Sequence, residues 1–151
     1  MKPSLLELQN YFVTALSITA NRNYDGQRQK APCSSDLKVE PFLQMEGKDI
    51  RHWQATLKIT YRPGPDVNAP YHFSIEIVGL FQVVNQVAED KAKWFVETNG
   101  TAVLYSTARE ILRSVMSSGP YPPLLVPTGT FYEPEKSEVS PTSEKPAQAA
   151  K

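Results

Sequence analysis

The sequence predicts an α+β fold: a four-stranded antiparallel sheet with helices packed on one of its faces. Three observations carry this expectation. Four segments in the first half of the chain alternate apolar and polar residues with a period of two, so each presents one apolar face. Beyond residue 85 the apolar residues recur instead at three- and four-residue spacing, the mark of an amphipathic helix. The strands come first and the helices follow, an order that suits helices laid on an antiparallel sheet with one wet side.

The first strand is expected over Phe12–Ala20, where Phe12, Leu16, Ile18 and Ala20 share a face. In Leu37–Met45 the set Leu37, Val39, Leu43 and Met45 does the same. Trp53, Ala55, Leu57, Ile59 and Tyr61 alternate with Gln54, Thr56, Lys58, Thr60 and Arg62. Tyr71, Phe73, Ile75 and Ile77 alternate with His72, Ser74, Glu76 and Val78, after the turn-rich "PGPDVNAP" from Pro63 to Pro70. A short helix is expected over Gln86–Val96 and a break at Asn99-Gly100, because glycine tolerates the left-handed geometry that ends helices. Thr101 is then placed to cap a second helix, 101–118. Its stripe is Leu104, Ala108, Ile111, Leu112, Val115 and Met116, and Gly119-Pro120 stops it. The tail from Glu133 to Lys151 has no Leu, Ile or aromatic residue and is read as disordered and dispensable for folding, leaving residues 1–132 as the domain.

Sixteen basic residues balance sixteen acidic ones among 151, which gives no strong field for nucleic acid. The N-terminus lacks the apolar stretch of a signal peptide, and no run approaches the roughly 18 apolar residues of a membrane helix. A single cysteine, Cys33, allows no internal disulfide and fits a reducing cytoplasm. It sits in a polar stretch, "KAPCSSD", with nothing to bring His52 or His72 beside it as a catalytic base. Both histidines lie on the polar face of their strands, too far apart for a shared metal. No nucleotide-binding or hydrolase motif is present, and Asp36, Glu40, Glu46 and Asp49 read as solvated. The expectation is a non-enzyme without cofactor or metal.

One stretch departs from ordinary patterns. "GPYPPLLVPTGTF", Gly119 to Phe131, is apolar and rich in proline. Such a ribbon is extended, stiff and poor at recruiting further strands. Together with the helix before it, "VLYSTAREILRSVMSSGPYPPLLVPTGTF" from Val103 resembles the SecB family of bacterial chaperones. The matching pieces are Tyr105-x-x-x-Arg109-Glu110, the Gly119-Pro120 stop, and Pro-Pro-Leu-Leu-x-Pro closing on phenylalanine. Leu16-Ser17-Ile18-Thr19-Ala20-Asn21 resembles the end of the family's first strand, and Gly79-Leu80-Phe81 the end of its fourth. The resemblance covers roughly residues 8–132.

The resemblance implies an ATP-independent holdase, a homotetramer that binds unfolded polypeptides in long apolar grooves. The groove is expected between the second strand and the ribbon, with the second helix as its floor. Leu37, Val39, Phe42, Leu112, Met116, Tyr121, Leu124 and Leu125 are the candidate client-binding residues. Phe42 is singled out because it interrupts the alternation after Pro41. For the ribbon, the sequence leaves open which side meets a client and which packs as core. Val103 and Tyr105 add a second apolar face to the helix and are the candidate oligomer interface. Export-type members dock on the translocase motor SecA through acidic side chains on the outer sheet face. Alignment puts Ala15, Thr19, His72 and Ser74 near those positions, with Glu76 the nearby acid, which argues against SecA docking. It leans toward the branch that protects an antitoxin in toxin–antitoxin–chaperone modules. The competing reading is a small-ligand-binding α+β domain whose ribbon is only core.

Overall fold

The structure is a computed structural model and describes residues 1–30 and 32–131. The tail expected to be disordered lies outside the described residues. The sheet has four antiparallel strands, β1 (Leu6–Ala20), β2 (Leu37–Glu46), β3 (Asp49–Tyr61) and β4 (Tyr71–Val83), in the order β1-β4-β3-β2. Helices α1 (Glu89–Phe95) and α2 (Thr101–Met116) follow, and the expected α+β architecture is the observed one.

The register explains the core. Trp53, Leu57, Ile59 and Tyr61 face Phe81, Ile77, Ile75 and Phe73 across β3 and β4, and all eight are buried. On the same face Leu104, Ala108, Leu112 and Met116 of α2 are fully buried against them. Lys58 and Glu76 are partners on the opposite, outer face. In β1 the ladder slips between Leu8 and Asn10 and again between Val13 and Ala15. Each bulge adds a residue and reverses the alternation. Leu16 and Ile18 therefore lie on the helix side, opposite Ile75 and Phe73, whereas Phe12 pairs with Val78 on the outer side. The expectation that these residues share one face fails for Phe12, because periodicity cannot see a bulge.

The expected break between the helices also fails. Val96–Gly100 forms a π-helical stretch that joins α1 to α2 without interruption, and Gly100 has φ −63°, an ordinary right-handed value. This glycine serves close approach instead: a Cβ there would lie 3.3 Å from Val96 and 3.4 Å from the Phe81 ring. Gly79 on β4 answers it, since a Cβ on that residue would lie 2.7 Å from Leu104. Thr101 is accordingly not a cap. It is buried in the middle of the continuous helix.

Cys33 is buried in a single 3-10 turn, Cys33–Ser35, rather than exposed in a polar loop. Burial first, and the Asp36 carboxylate second, push its thiol up to about 11, which makes it a poor nucleophile at neutral pH. His52 holds Asp49 at 2.6 Å, while His72 pairs with Thr19 on β1 near the other end of the sheet. Among the described residues no group of three metal-ligating side chains assembles, and no helix is long and apolar enough to cross a membrane.

Candidate functional site

After Met116 the chain leaves α2 and runs extended to Phe131. Prolines cannot donate hydrogen bonds, so this ribbon cannot be held by a strand ladder. Side chains hold it instead. The Tyr71 hydroxyl accepts from the Tyr121 N–H at 2.9 Å and donates to the Tyr121 carbonyl at 2.7 Å. Arg109 Nε donates to the Val126 carbonyl at 2.9 Å, and the Tyr105 hydroxyl donates to the Pro127 carbonyl at 2.7 Å. Tyr105 and Arg109 stand four residues apart on one face of α2. The Tyr-x-x-x-Arg spacing is thus the clamp for the ribbon. Phe131 closes the segment with its ring edge-on to Tyr105 at 5.4 Å.

Clamped this way, the ribbon has an inner and an outer side. Leu124 and Val126 are buried, while Leu125 between them is 74% exposed. Tyr121 is half-buried, edge-on to Tyr24 and Tyr71. Beside the ribbon's end lies an open groove of about 330 Å³. Pro41 of β2 forms one wall, Thr130 and Phe131 the other, and Trp94, Glu97, Thr98 and Thr101 line it from the helix. Of the candidate client-binding residues, none lines this groove, whose β2 side is Pro41 alone.

The candidate residues separate accordingly. Leu112 and Met116 are fully buried under the sheet, because the α2 stripe faces β3 and β4, so they are not an open floor. Leu124 is buried on the inner side of the ribbon and does not face a client in this chain. Tyr105, 4% exposed, is turned inward to clamp the ribbon and is not free for a subunit interface. Burial of its hydroxyl raises the pKa of Tyr105 above the ordinary tyrosine value. Leu37 and Val39 are half-buried on the helix side of β2. Phe42 is 65% exposed on the outer side, opposite Thr56. It obeys the alternation, with Pro41 taking the inward place. Val103 is exposed. Sequence reasoning missed Trp94 and Phe131 as groove residues. Trp94 sits in the amphipathic stretch assigned to ordinary helix packing, and its partial exposure was the signal available only from the fold.

A second uncovered region lies at β1. Tyr11, Val13 and Leu16 are on the helix side of the sheet, yet the helices cover β3 and β4 and leave them exposed. A cavity of about 540 Å³ between Leu6 and Leu8 of β1 and Ala102, Val103 and Thr107 of α2 continues this bare surface.

In the comparisons with known proteins, uncharacterized protein MJ0357 of Methanocaldococcus jannaschii is 22% identical over 123 residues, covering 81% of this chain and 77% of that protein. The fold matches the Mycobacterium tuberculosis SecB-like chaperone Rv1957, solved in complex with a ChAD peptide from the Rv1956 HigA1 antitoxin. That match has a TM-score of 0.57 at 15% identity and covers 83% of this chain and 91% of the other. The family model described as preprotein translocase subunit SecB spans residues 2–133, and on that match, with the ribbon and its clamp in place, the chain belongs to the SecB family.

Proposed function

We propose that this protein is an ATP-independent holdase of the cytoplasm that binds unfolded polypeptide segments in the groove between β2 and the ribbon. The observation that carries the reading is the groove itself. It is open and lined by Trp94, Pro41 and Phe131, and Leu125 is presented outward farther back along the same ribbon. An open cleft accepts a chain passing through, whereas a small-ligand domain needs an enclosing pocket. Burying one Leu or Phe side chain is worth about 1.5–3 kcal/mol, too little to hold a flexible chain at one point. Several grooves on one assembly gain by effective concentration.

The assembly we infer is a homotetramer. β1 is 15 residues long, and among the described residues no strand pairs with its outer edge. From Leu8 to Ala20 it contains no charged residue and no proline, the devices that ordinarily keep an edge from pairing. The opposite edge, β2, has Lys38, Glu40, Pro41 and Glu46. One edge is guarded and the other is open to a second copy. Docking on SecA does not belong to this reading, since Glu76, near the expected docking positions, is occupied by the Thr14 hydroxyl at 2.6 Å. An antitoxin is the favoured client, by analogy with the peptide seated on the mycobacterial SecB-like chaperone.

Light scattering tests the proposal. Added to an aggregating unfolded protein without ATP, this chain should suppress scattering at near-stoichiometric ratio. With Trp53 replaced by Phe, the remaining emission of Trp94 should shift on addition of client. Aggregation that proceeds unchanged at several-fold excess overturns the reading.

A further inference from the structure

We propose that the outer face of the sheet carries an oxyanion-binding cup, built by Ser17, Thr19, Arg62 and His72, for a carboxylate or phosphate group. The four residues reach one place through the register. Thr19 pairs with His72, and Ser17 stands two residues earlier on the same side of β1. Arg62 follows Tyr61, whose partner is Phe73, which brings Arg62 beside His72. Tyr61 and Phe73 point into the core, so their neighbours Arg62 and His72 point out. The four side chains and Phe73 line a concavity of about 170 Å³ where β3 leaves the sheet.

Its chemistry is one-sided. A guanidinium, an imidazole and two hydroxyls offer donors from β1, β4 and the residue that follows β3, and no carboxylate lines the cavity. Among the described residues none of the four side chains makes a hydrogen bond or ion pair within the chain. Of the acids on the same face, Glu76 is engaged by Thr14 and Glu40 by Lys38 at 3.3 Å, and Glu7 lies at the far end of β1, opposite Gln82. A solitary surface arginine is ordinary. What distinguishes this one is that hydroxyl and imidazole donors converge with it on one recess. A planar guanidinium matches two oxygens of a carboxylate or phosphate at once, and the hydroxyls can turn to meet a third. This lies apart from the groove beside β2 and does not depend on the holdase reading.

Nuclear magnetic resonance on the full chain, deuterated and labelled with nitrogen-15, tests the cup. Inorganic phosphate, acetate and chloride are titrated separately at matched ionic strength, following the Arg62 Nε–H and the amides of Thr19 and His72. Saturable shifts with phosphate alone assign the cup to phosphoryl groups. Saturation with acetate, with or without phosphate, assigns it to carboxylates. Arg62→Gln should weaken the saturating titration by about tenfold or more, while core resonances of Ile59 and Ile75 stay in place as evidence of fold. Shifts that chloride reproduces, no saturation with either oxyanion, or unchanged binding in Arg62→Gln would overturn the proposal.

Discussion

Tyr61 and Tyr71 are two buried tyrosines on the same face of the sheet, and they carry opposite liabilities. Tyr71 supplies both hydrogen bonds that the backbone of Tyr121 needs. Among the described residues the Tyr61 hydroxyl has no partner, and burial pushes its pKa up to about 12, with Cys33 and then Asp36 adding to the shift. Removing the same oxygen should therefore have different effects. Tyr71→Phe leaves a ribbon N–H and carbonyl unmet and should cost about 1–3 kcal/mol, whereas Tyr61→Phe should be neutral or stabilise by up to about 1 kcal/mol. Denaturant unfolding at one fixed protein concentration measures both, and equal losses in the two variants would refute this assignment. The sequence shows that both tyrosines point inward, since alternation fixes the face. It does not show which hydroxyl finds a partner, because that partner lies fifty residues on, in a segment with no periodicity.

At the scale of elements, β3 and β4 were readable because both are flanked by neighbours and alternate without interruption. The bulges of β1 and the continuity of the helix were not readable. A bulge changes the pairing without changing local composition, and Asn99-Gly100 serves as a helix stop in one context and as a close-packing site in another. The ribbon was readable as an extended apolar segment, but its two sides were not, since proline supplies no alternation to count. The structure separates them, and adjacent leucines make the test. Leu124→Ala empties a buried site and should cost about 2–5 kcal/mol. Leu125→Ala removes an exposed side chain and should change stability by less than about 0.5 kcal/mol, yet weaken suppression of client aggregation. Phe42→Ala, on the outer face away from the groove, should change neither, and full suppression by folded Leu125→Ala would remove Leu125 from the client surface.

At the scale of the molecule, one chain leaves too much apolar surface bare for a finished particle. Tyr11, Val13 and Leu16 on β1 and Val103 and Val115 on α2 are all exposed. The two valines stand in line with Thr107 and Ile111 at four-residue spacing along α2; Ile111 packs partly against the core, while the valines are left bare. Two kinds of contact are thus unfilled, an edge that needs a strand and a helix face that needs a second layer. In the proposed tetramer a dimer through the β1 edge would satisfy the first and leave the helices bare, so two such dimers would pack through their helices. Sedimentation of the full chain should accordingly give about four times the 16.9 kDa of one chain. The helix contact should fail without the edge contact. Val103→Glu on the helix face should stop assembly at the dimer, because the β1 edge remains able to pair. Leu16→Glu, on the helix side of β1, should disturb both contacts and yield smaller species. Lys58→Glu, on the outer face opposite Glu40 and Glu76, should leave the mass unchanged. A wild-type chain that sediments as a monomer at micromolar concentration would refute the assembly. A Val103→Glu variant that remains tetrameric would show that the helix face closes by some other contact.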